Sequence, residues 1–96
     1  MTDHDDFRAR RLHVPDTVLF QVVGDESILL NLDTEYYFGL DDIGSDILQA
    51  LVEAETVGEA LDVLTLRFGV APATMRRDLQ AFVDELEASG LLADRP

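Results

Sequence analysis

The stretch ILLNLDTEYYFGLDDIGSDILQAL, residues 28–51, contains the change of hydrophobic period that decides the fold. Its first half reads as two short strands, ILLNL over 28–32 and YYFGL over 36–40, joined by a three-residue turn. Its second half and the residue that follows it have apolar residues at the spacing of one helix face: Ile43, Ile47, Leu48, Leu51 and Val52. The chain therefore passes from sheet to helix at Asp41 or Asp42, either of which can cap the helix.

The residues before this stretch predict one more strand and a loose terminus. TVLFQVV, 17–23, alternates Val18, Phe20 and Val22 on one face, and GDES, 24–27, is a turn signal. Connections this short predict a three-stranded antiparallel meander. Residues 1–13 are charged and show no clean period, which predicts a mobile N-terminal arm that docks at most in part, in front of an ordered domain over 14–93.

The residues after it predict two further helices. Thr56 and Glu59 form a capping box, and the helix that they begin ends at Gly69. Pro72 suits the first turn of a third helix, which Gly90 can terminate. The predicted fold is α+β in the order β-β-β-α-α-α. Its second and third helices form a helix-turn-helix beside the small sheet, a winged helix-turn-helix-like arrangement.

Length and composition predict one cytoplasmic domain. The chain has 96 residues, 47% of them hydrophobic, without an apolar run of the roughly 18 residues that a membrane span requires. Its N-terminus is charged and lacks the apolar stretch of a signal peptide. The absence of cysteine excludes disulfides, thiolate zinc sites and a thiol nucleophile.

The formal net charge of −13 argues against nucleic acid as a partner. Nucleic-acid affinity comes largely from Lys and Arg, and the third helix offers only Arg76 and Arg77 among several acids. The electrostatic field of this negative charge would speed the encounter with a basic peptide, although solubility alone also explains an acidic surface.

The sequence contains no set of residues whose types and spacing predict an active site or a cofactor site. His4 and His13 lie in or beside the predicted arm, and the acids Asp41, Asp42 and Asp46 lack the spacing of a calcium loop. Ser45 near a helix start raises the alternative of an acyl-carrier-like protein. The predicted sheet before Ser45 and the acid placed after it, not before it, argue against that alternative. We expect no enzyme activity, no cofactor and no metal.

Three adjacent aromatic residues, Tyr36, Tyr37 and Phe38, mark the third strand as unusual. If this strand lies at the sheet edge, its body lacks the Lys, Pro or bulge that protects edges, and a peptide could add to it as a further strand. If it lies in the centre, the aromatic residues are core. The residues alone leave both alternatives open.

The ordered set ILLNL, DTE, YYFGL, DDIG and DIL, followed by TVGEAL and RRDLQAFVDELEASGLL, resembles the PqqD family. These are small recognition domains for ribosomally made, modified peptides, and the resemblance covers about residues 14–93. The YFGL form in a chain of this size is most similar to the recognition proteins of lasso-peptide pathways. A PqqD-type chaperone for a radical enzyme in quinone-cofactor synthesis, or a winged-helix regulator that binds protein or DNA, is the alternative.

The resemblance implies that the leader segment of a precursor peptide adds beside the third strand, in a groove walled by the third helix. It implies no chemistry, and it implies a leader peptidase and a ring-closing enzyme as further partners. Arg76 would suit an acidic leader residue, whereas the net charge would suit a basic leader. The implied leader-binding residues are Glu35, Tyr36, Tyr37, Phe38, Gly39, Leu40, Met75, Arg76, Leu79, Phe82 and Val83. The last five, on the third helix, are candidates for the groove wall, and several of them must belong to the core instead.

Overall fold

The computed structural model describes residues 6–96 of the chain, which contain four helices and five strands. In chain order the elements are α1 (Asp6–Ala9), β1 (Leu12–His13), β2 (Val18–Val23), β3 (Glu26–Asn31), β4 (Tyr37–Leu40), α2 (Asp42–Glu53), α3 (Val57–Phe68), α4 (Pro72–Ala88) and β5 (Ala93–Asp94). The strands β2, β3 and β4 form an antiparallel sheet in that order, and β1 pairs with β5 in a separate two-stranded ribbon.

The predicted antiparallel meander and the three helices after it are present. The elements α1, β1 and β5 are additions that the hydrophobic period did not predict, because each is shorter than the window in which a period can be recognised. No helix within residues 6–96 is long and apolar enough to cross a membrane.

Side-chain caps set the helix boundaries that the sequence predicts. The Asp41 carboxylate accepts from the Gly44 N–H at 2.8 Å and begins α2. The Thr56 hydroxyl accepts from the Glu59 N–H at 3.2 Å and begins α3. The Glu59 carboxylate reaches back to the N–H of Glu55 at 3.1 Å, one residue before the partner that a capping box normally uses.

The core lies between the inner face of the three-stranded sheet and the helices α2, α3 and α4. The sheet contributes Val18, Leu29 and Leu40, and leucines of all three helices complete the buried cluster. A buried hydrogen bond between the hydroxyls of Ser27 on β3 and Ser45 on α2 ties sheet and helix together inside this apolar setting.

The segment over residues 6–13 is docked, which differs from the mobile arm expected from its sequence. The side chains of Phe7 and Leu12 are buried, and β1 pairs with β5 at the other end of the chain. Arg10 donates hydrogen bonds to the carboxylates of Glu87 and Asp94. These bonds raise the pKa of its guanidinium above the ordinary value, and the bond to Glu87 has the larger effect. Such partners are remote in sequence, so a local pattern could not show them. Residues 1–5 of the expected arm, including His4, lie outside the described residues.

The C-terminal residues contact β1 and the end of α2. Arg95 donates to the backbone carbonyls of Leu12 and Ala54, both at 2.9 Å, and to that of Val52 at 3.4 Å. The last carbonyls of α2 are thereby satisfied by a side chain from outside the helix. The ordered contacts continue past residue 93, where the sequence placed the end of the domain.

Candidate functional site

The strand β4 lies at an edge of the sheet, so one side of its backbone has no partner strand among residues 6–96. Asn31 stabilises the turn between β3 and β4, and its N–H donates to the Tyr36 carbonyl at 2.8 Å. The side-chain oxygen of Asn31 accepts from the N–H groups of Asp33 and Thr34. Glu35 takes a left-handed conformation with φ of 61°, which is uncommon for a residue other than glycine.

The register of the sheet identifies which residues of β4 face the open edge. In an antiparallel pair, hydrogen-bonded positions alternate with positions whose N–H and C=O point away from the partner. The Asn31–Tyr36 bond sets this alternation, so Phe38 and Leu40 bond to β3. The N–H and C=O groups of Tyr37 and Gly39 therefore point outward at the edge.

A cleft of about 460 Å³ borders this edge, and we call it the β4–α4 cleft. Phe38 on β4 and Phe82 on α4 both line it, and the first turns of α2 form its end. Its lining is largely apolar and consists of Phe38, Gly39, Leu40, Asp41, Ile43, Gly44, Ile47 and Phe82. An extended peptide paired with β4 would thus have an apolar pocket for alternate side chains.

Only some of the residues that the resemblance implied are at this cleft. Phe38, Gly39, Leu40 and Phe82 line it, while Tyr36 and Tyr37 are exposed beside it. Met75, Leu79 and Val83 are buried in the core and do not reach a surface. The helix α4 therefore contributes one residue, Phe82, to the wall of the cleft.

Arg76 is engaged at a different place from the one implied. Its guanidinium lies over the ring of Phe7, 5.2 Å from the ring centroid, a distance typical of a cation–π contact. It is not among the residues that line the β4–α4 cleft. The docked α1 segment explains this placement, because Phe7 was not expected to pack against the domain.

Sequence reasoning missed the contribution of α2 to the cleft. Asp41, Ile43, Gly44 and Ile47 line it, whereas the sequence placed Ile43 and Ile47 only on the apolar face of their helix. Gly44 lets the first turn of α2 approach β4 closely, since a Cβ there would lie 3.2 Å from the Leu40 side chain. The direct connection of β4 to α2 was the available signal: a helix that begins where an edge strand ends must flank that strand.

The remaining chemistry of the described residues is sparse. No group of three or more His, Asp or Glu side chains within residues 6–96 could hold a metal ion. Two other clefts are lined by charged residues of α2 and its neighbours, and neither borders β4. The β4–α4 cleft is distinguished from both by the unpaired backbone at its rim.

Comparisons with known proteins identify the family and the fold of this chain. The family model described as Coenzyme PQQ synthesis protein D (PqqD) matches residues 26–92. Among solved structures, TbiB1 in complex with the TbiA(beta) leader peptide is 35% identical with a TM-score of 0.79, over 86% of this chain and 96% of that one. Lasso peptide synthetase B1 complexed with the leader peptide has a TM-score of 0.77 at 20% identity, over 86% and 98%, a likeness of fold. No curated protein matches the chain significantly.

Proposed function

This chain belongs to the PqqD family, and we propose that it binds the leader segment of a ribosomally made precursor peptide, that of a lasso peptide. The single observation that carries this proposal is the unpaired edge of β4 beside an apolar cleft. A solved relative with 35% identity over most of both chains is a complex with a leader peptide, which supports the same use of this protein.

In the proposed complex the leader adds to β4 as a fourth strand of the sheet. The backbone groups of Tyr37 and Gly39 provide its hydrogen bonds, and every second leader side chain enters the β4–α4 cleft between Phe38 and Phe82. Main-chain bonds supply affinity that is independent of sequence, and the cleft supplies selection. Of the implied binding residues, we retain Glu35, Tyr36, Tyr37, Phe38, Gly39, Leu40 and Phe82 as leader contacts.

We assign the pair α3 and α4 beside the sheet to a winged helix-turn-helix-like arrangement, and we place the protein in the cytoplasm. Its role is binding without catalysis, and its further partners are the leader peptidase and the ring-closing enzyme of the pathway. The acidic surface makes nucleic acid an unsuitable partner.

The contribution of such a protein is effective concentration. A leader held on the protein places the attached core segment close to any enzyme that binds the same protein. The encounter between the enzyme and the core segment then becomes intramolecular, so the effective concentration of the core segment rises without new contacts to it. Processing would therefore depend on the leader and tolerate changes in the core sequence.

A second candidate is a peptide chaperone in quinone-cofactor synthesis, which the description of the matching family model favours. The two solved relatives are leader complexes, one of TbiB1 and one of a lasso peptide synthetase, and they favour the first. Both candidates use the edge of β4, so they differ in the identity of the peptide and not in the site.

Fluorescence anisotropy tests the proposal directly. A labelled leader peptide of the cognate precursor is titrated with the protein. We expect saturable binding with a Kd of about 1 µM or below, a free energy of about −8 kcal/mol. Unlabelled leader should compete and the core segment should not. A flat titration up to tens of micromolar with folded protein would exclude leader binding.

A further inference from the structure

The side chain of Asn31 joins the turn before β4 to the chain just beyond α4. Asn31 is the last residue of β3 and is buried, with 7% of its surface exposed. Its side-chain oxygen accepts from the N–H groups of Asp33 at 2.9 Å and Thr34 at 3.3 Å. These two donors fix the orientation of the amide, because only its oxygen can accept. The side-chain nitrogen therefore faces the Gly90 carbonyl, to which it donates at 3.3 Å.

The backbone of Asn31 also holds the turn between β3 and β4. Its N–H donates to the Tyr36 carbonyl, and its own carbonyl accepts from the Glu35 N–H at 2.7 Å. The second bond stabilises the left-handed conformation of Glu35, which is uncommon for a residue other than glycine. The direction in which β4 leaves the turn therefore depends on Asn31.

Gly90 allows Asn31 to approach the end of α4 closely. Its φ of 71° turns the chain back after the helix, and the next N–H, that of Leu91, donates to the Leu86 carbonyl at 2.9 Å. A Cβ on residue 90 would lie 2.9 Å from the side-chain nitrogen of Asn31. A larger residue there would push the turn and the end of α4 apart.

The Asn31–Gly90 bond lies at the end of the β4–α4 cleft where β4 begins and α4 ends. Phe38 on β4 and Phe82 on α4 line the cleft from opposite sides. The helix α4 packs on α3 and has little direct packing against β4, so the two walls do not set their own separation. The Asn31–Gly90 bond is a direct link between the strand side and the helix side of the cleft.

We infer that Asn31 is a positioning residue for leader binding: it holds the start of β4 and the end of α4 at the separation that the added leader strand requires. This inference rests on the function proposed above. Asn31 is buried and its polar groups bond within the protein, so it acts through β4 and α4 and not by touching the leader. A preorganised edge raises affinity, because the leader then does not have to order the turn or move the helix.

Two substitutions of Asn31 separate the turn from the link to α4. Asn31→Asp keeps an oxygen for the two turn N–H groups but replaces the donor to Gly90 with a second oxygen, whereas Asn31→Ala removes both functions. Thr56→Ala, which removes the cap of α3 away from the cleft, is the control for lost stability.

Anisotropy with the labelled cognate leader measures Kd for each of these proteins. The titrations use conditions in which urea unfolding shows every variant to be more than about 95% folded, so that an unfolded fraction cannot explain weaker binding. We expect Kd to rise about five- to tenfold in Asn31→Asp and at least as much in Asn31→Ala, as for a lost hydrogen bond. In Thr56→Ala it should stay within about twofold of wild type.

A pair of glycines provides a matched test that leaves Asn31 in place. Gly69 ends α3 with a φ of 65°, and Gly90 follows α4 with a φ of 71°, so alanine strains the backbone similarly at both. A Cβ at Gly69 meets nothing within 4 Å, whereas one at Gly90 meets Asn31. Gly90→Ala should therefore raise the leader Kd about fivefold or more, and Gly69→Ala should leave it within about twofold.

A double-mutant cycle tests whether Asn31 acts through the cleft. If Asn31 positions α4, Asn31→Asp already forfeits part of what Phe82 contributes to leader binding. Asn31→Asp combined with Phe82→Ala should then weaken binding by less than the product of the two single effects. Additive losses would mean that Asn31 does not act through the Phe82 wall.

The outcomes distinguish this inference from the proposed function. Wild-type leader affinity in Asn31→Asp, with weak binding only in Asn31→Ala, would assign the effect to the turn alone and overturn the inference. Equal losses in Gly90→Ala and Gly69→Ala would also overturn it, and this comparison decides if Asn31→Asp does not fold. Wild-type protein that does not bind the leader would overturn the proposed function, and the inference with it.

Discussion

Phe38 of β4 and Phe82 of α4 line the same cleft although all of α2 and α3 separates them in the chain. Both side chains are partly buried and pack against the core from its rim. Each ring therefore has one side against the core and another side that lines the cleft. We therefore expect that truncating some residues of α4 lowers the free energy of unfolding, whereas truncating others lowers leader affinity.

Leu79→Ala and Phe82→Ala should separate stability from binding. Leu79 is fully buried, so its truncation should lower the free energy of unfolding by about 2–5 kcal/mol and leave leader affinity nearly unchanged while the protein stays folded. Phe82→Ala should weaken leader binding about tenfold or more, since a buried aromatic contact is worth about 1.5–3 kcal/mol. Urea unfolding and leader anisotropy measure the two quantities. Equal leader affinity in Phe82→Ala would remove the cleft from the site.

Tyr37→Pro should weaken leader binding with little loss of fold. The Tyr37 N–H points to the open edge, so proline there removes a donor that β3 does not use. The lost hydrogen bond, about 1 kcal/mol or more, together with the ring at the edge, should raise the Kd about tenfold.

Val22→Pro is the matched control for this variant. The alternation of bonds between β2 and β3, set by the bond from the Leu32 N–H to the Thr17 carbonyl, turns the Val22 N–H to the opposite edge of the sheet. Its effect on unfolding should resemble that of Tyr37→Pro, while leader affinity should equal that of wild type. If both variants bind the leader equally well, β4 is not the docking edge.

Phe7→Ala should destabilise the whole domain. The ring is buried against α3 and lies under the Arg76 guanidinium, and its loss should cost about 3 kcal/mol of unfolding free energy. Arg11→Ala in the same segment removes only an exposed ion pair with Glu55 and should cost less than about 1 kcal/mol. Thermal or urea unfolding distinguishes them. A Phe7→Ala protein as stable as wild type would restore the view of this segment as a loose arm.

The hydroxyl pair of Ser27 and Ser45 should show strong coupling in a double-mutant cycle. Either single change to alanine leaves a buried hydroxyl without its partner, at a cost of about 1–3 kcal/mol. The double variant removes both groups and should cost less than the sum of the single variants. Additive losses in urea unfolding would mean that each hydroxyl has another partner.

The sequence was informative where structure depends on local spacing. Asp41 and Thr56 begin helices as predicted, because a cap needs only residues within one turn. Alternating apolar residues placed the three strands within about two residues of their observed bounds, since the two faces of a strand differ along the strand itself. The local pattern left the YYFGL strand open as an edge or a central strand, and its use as the binding element is a prediction from the family resemblance.

Only the tertiary structure could decide relations between remote segments. It placed β4 at the edge and not in the centre of the sheet, because strand order depends on pairing that no local window contains. It buried Met75, Leu79 and Val83 and left Phe82 at the cleft, since both groups share the same helical apolar pattern and differ only in what packs against them. The sequence by itself determined where the backbone changes from strand to helix; the packing of distant elements determined which side of each element remains open to a partner.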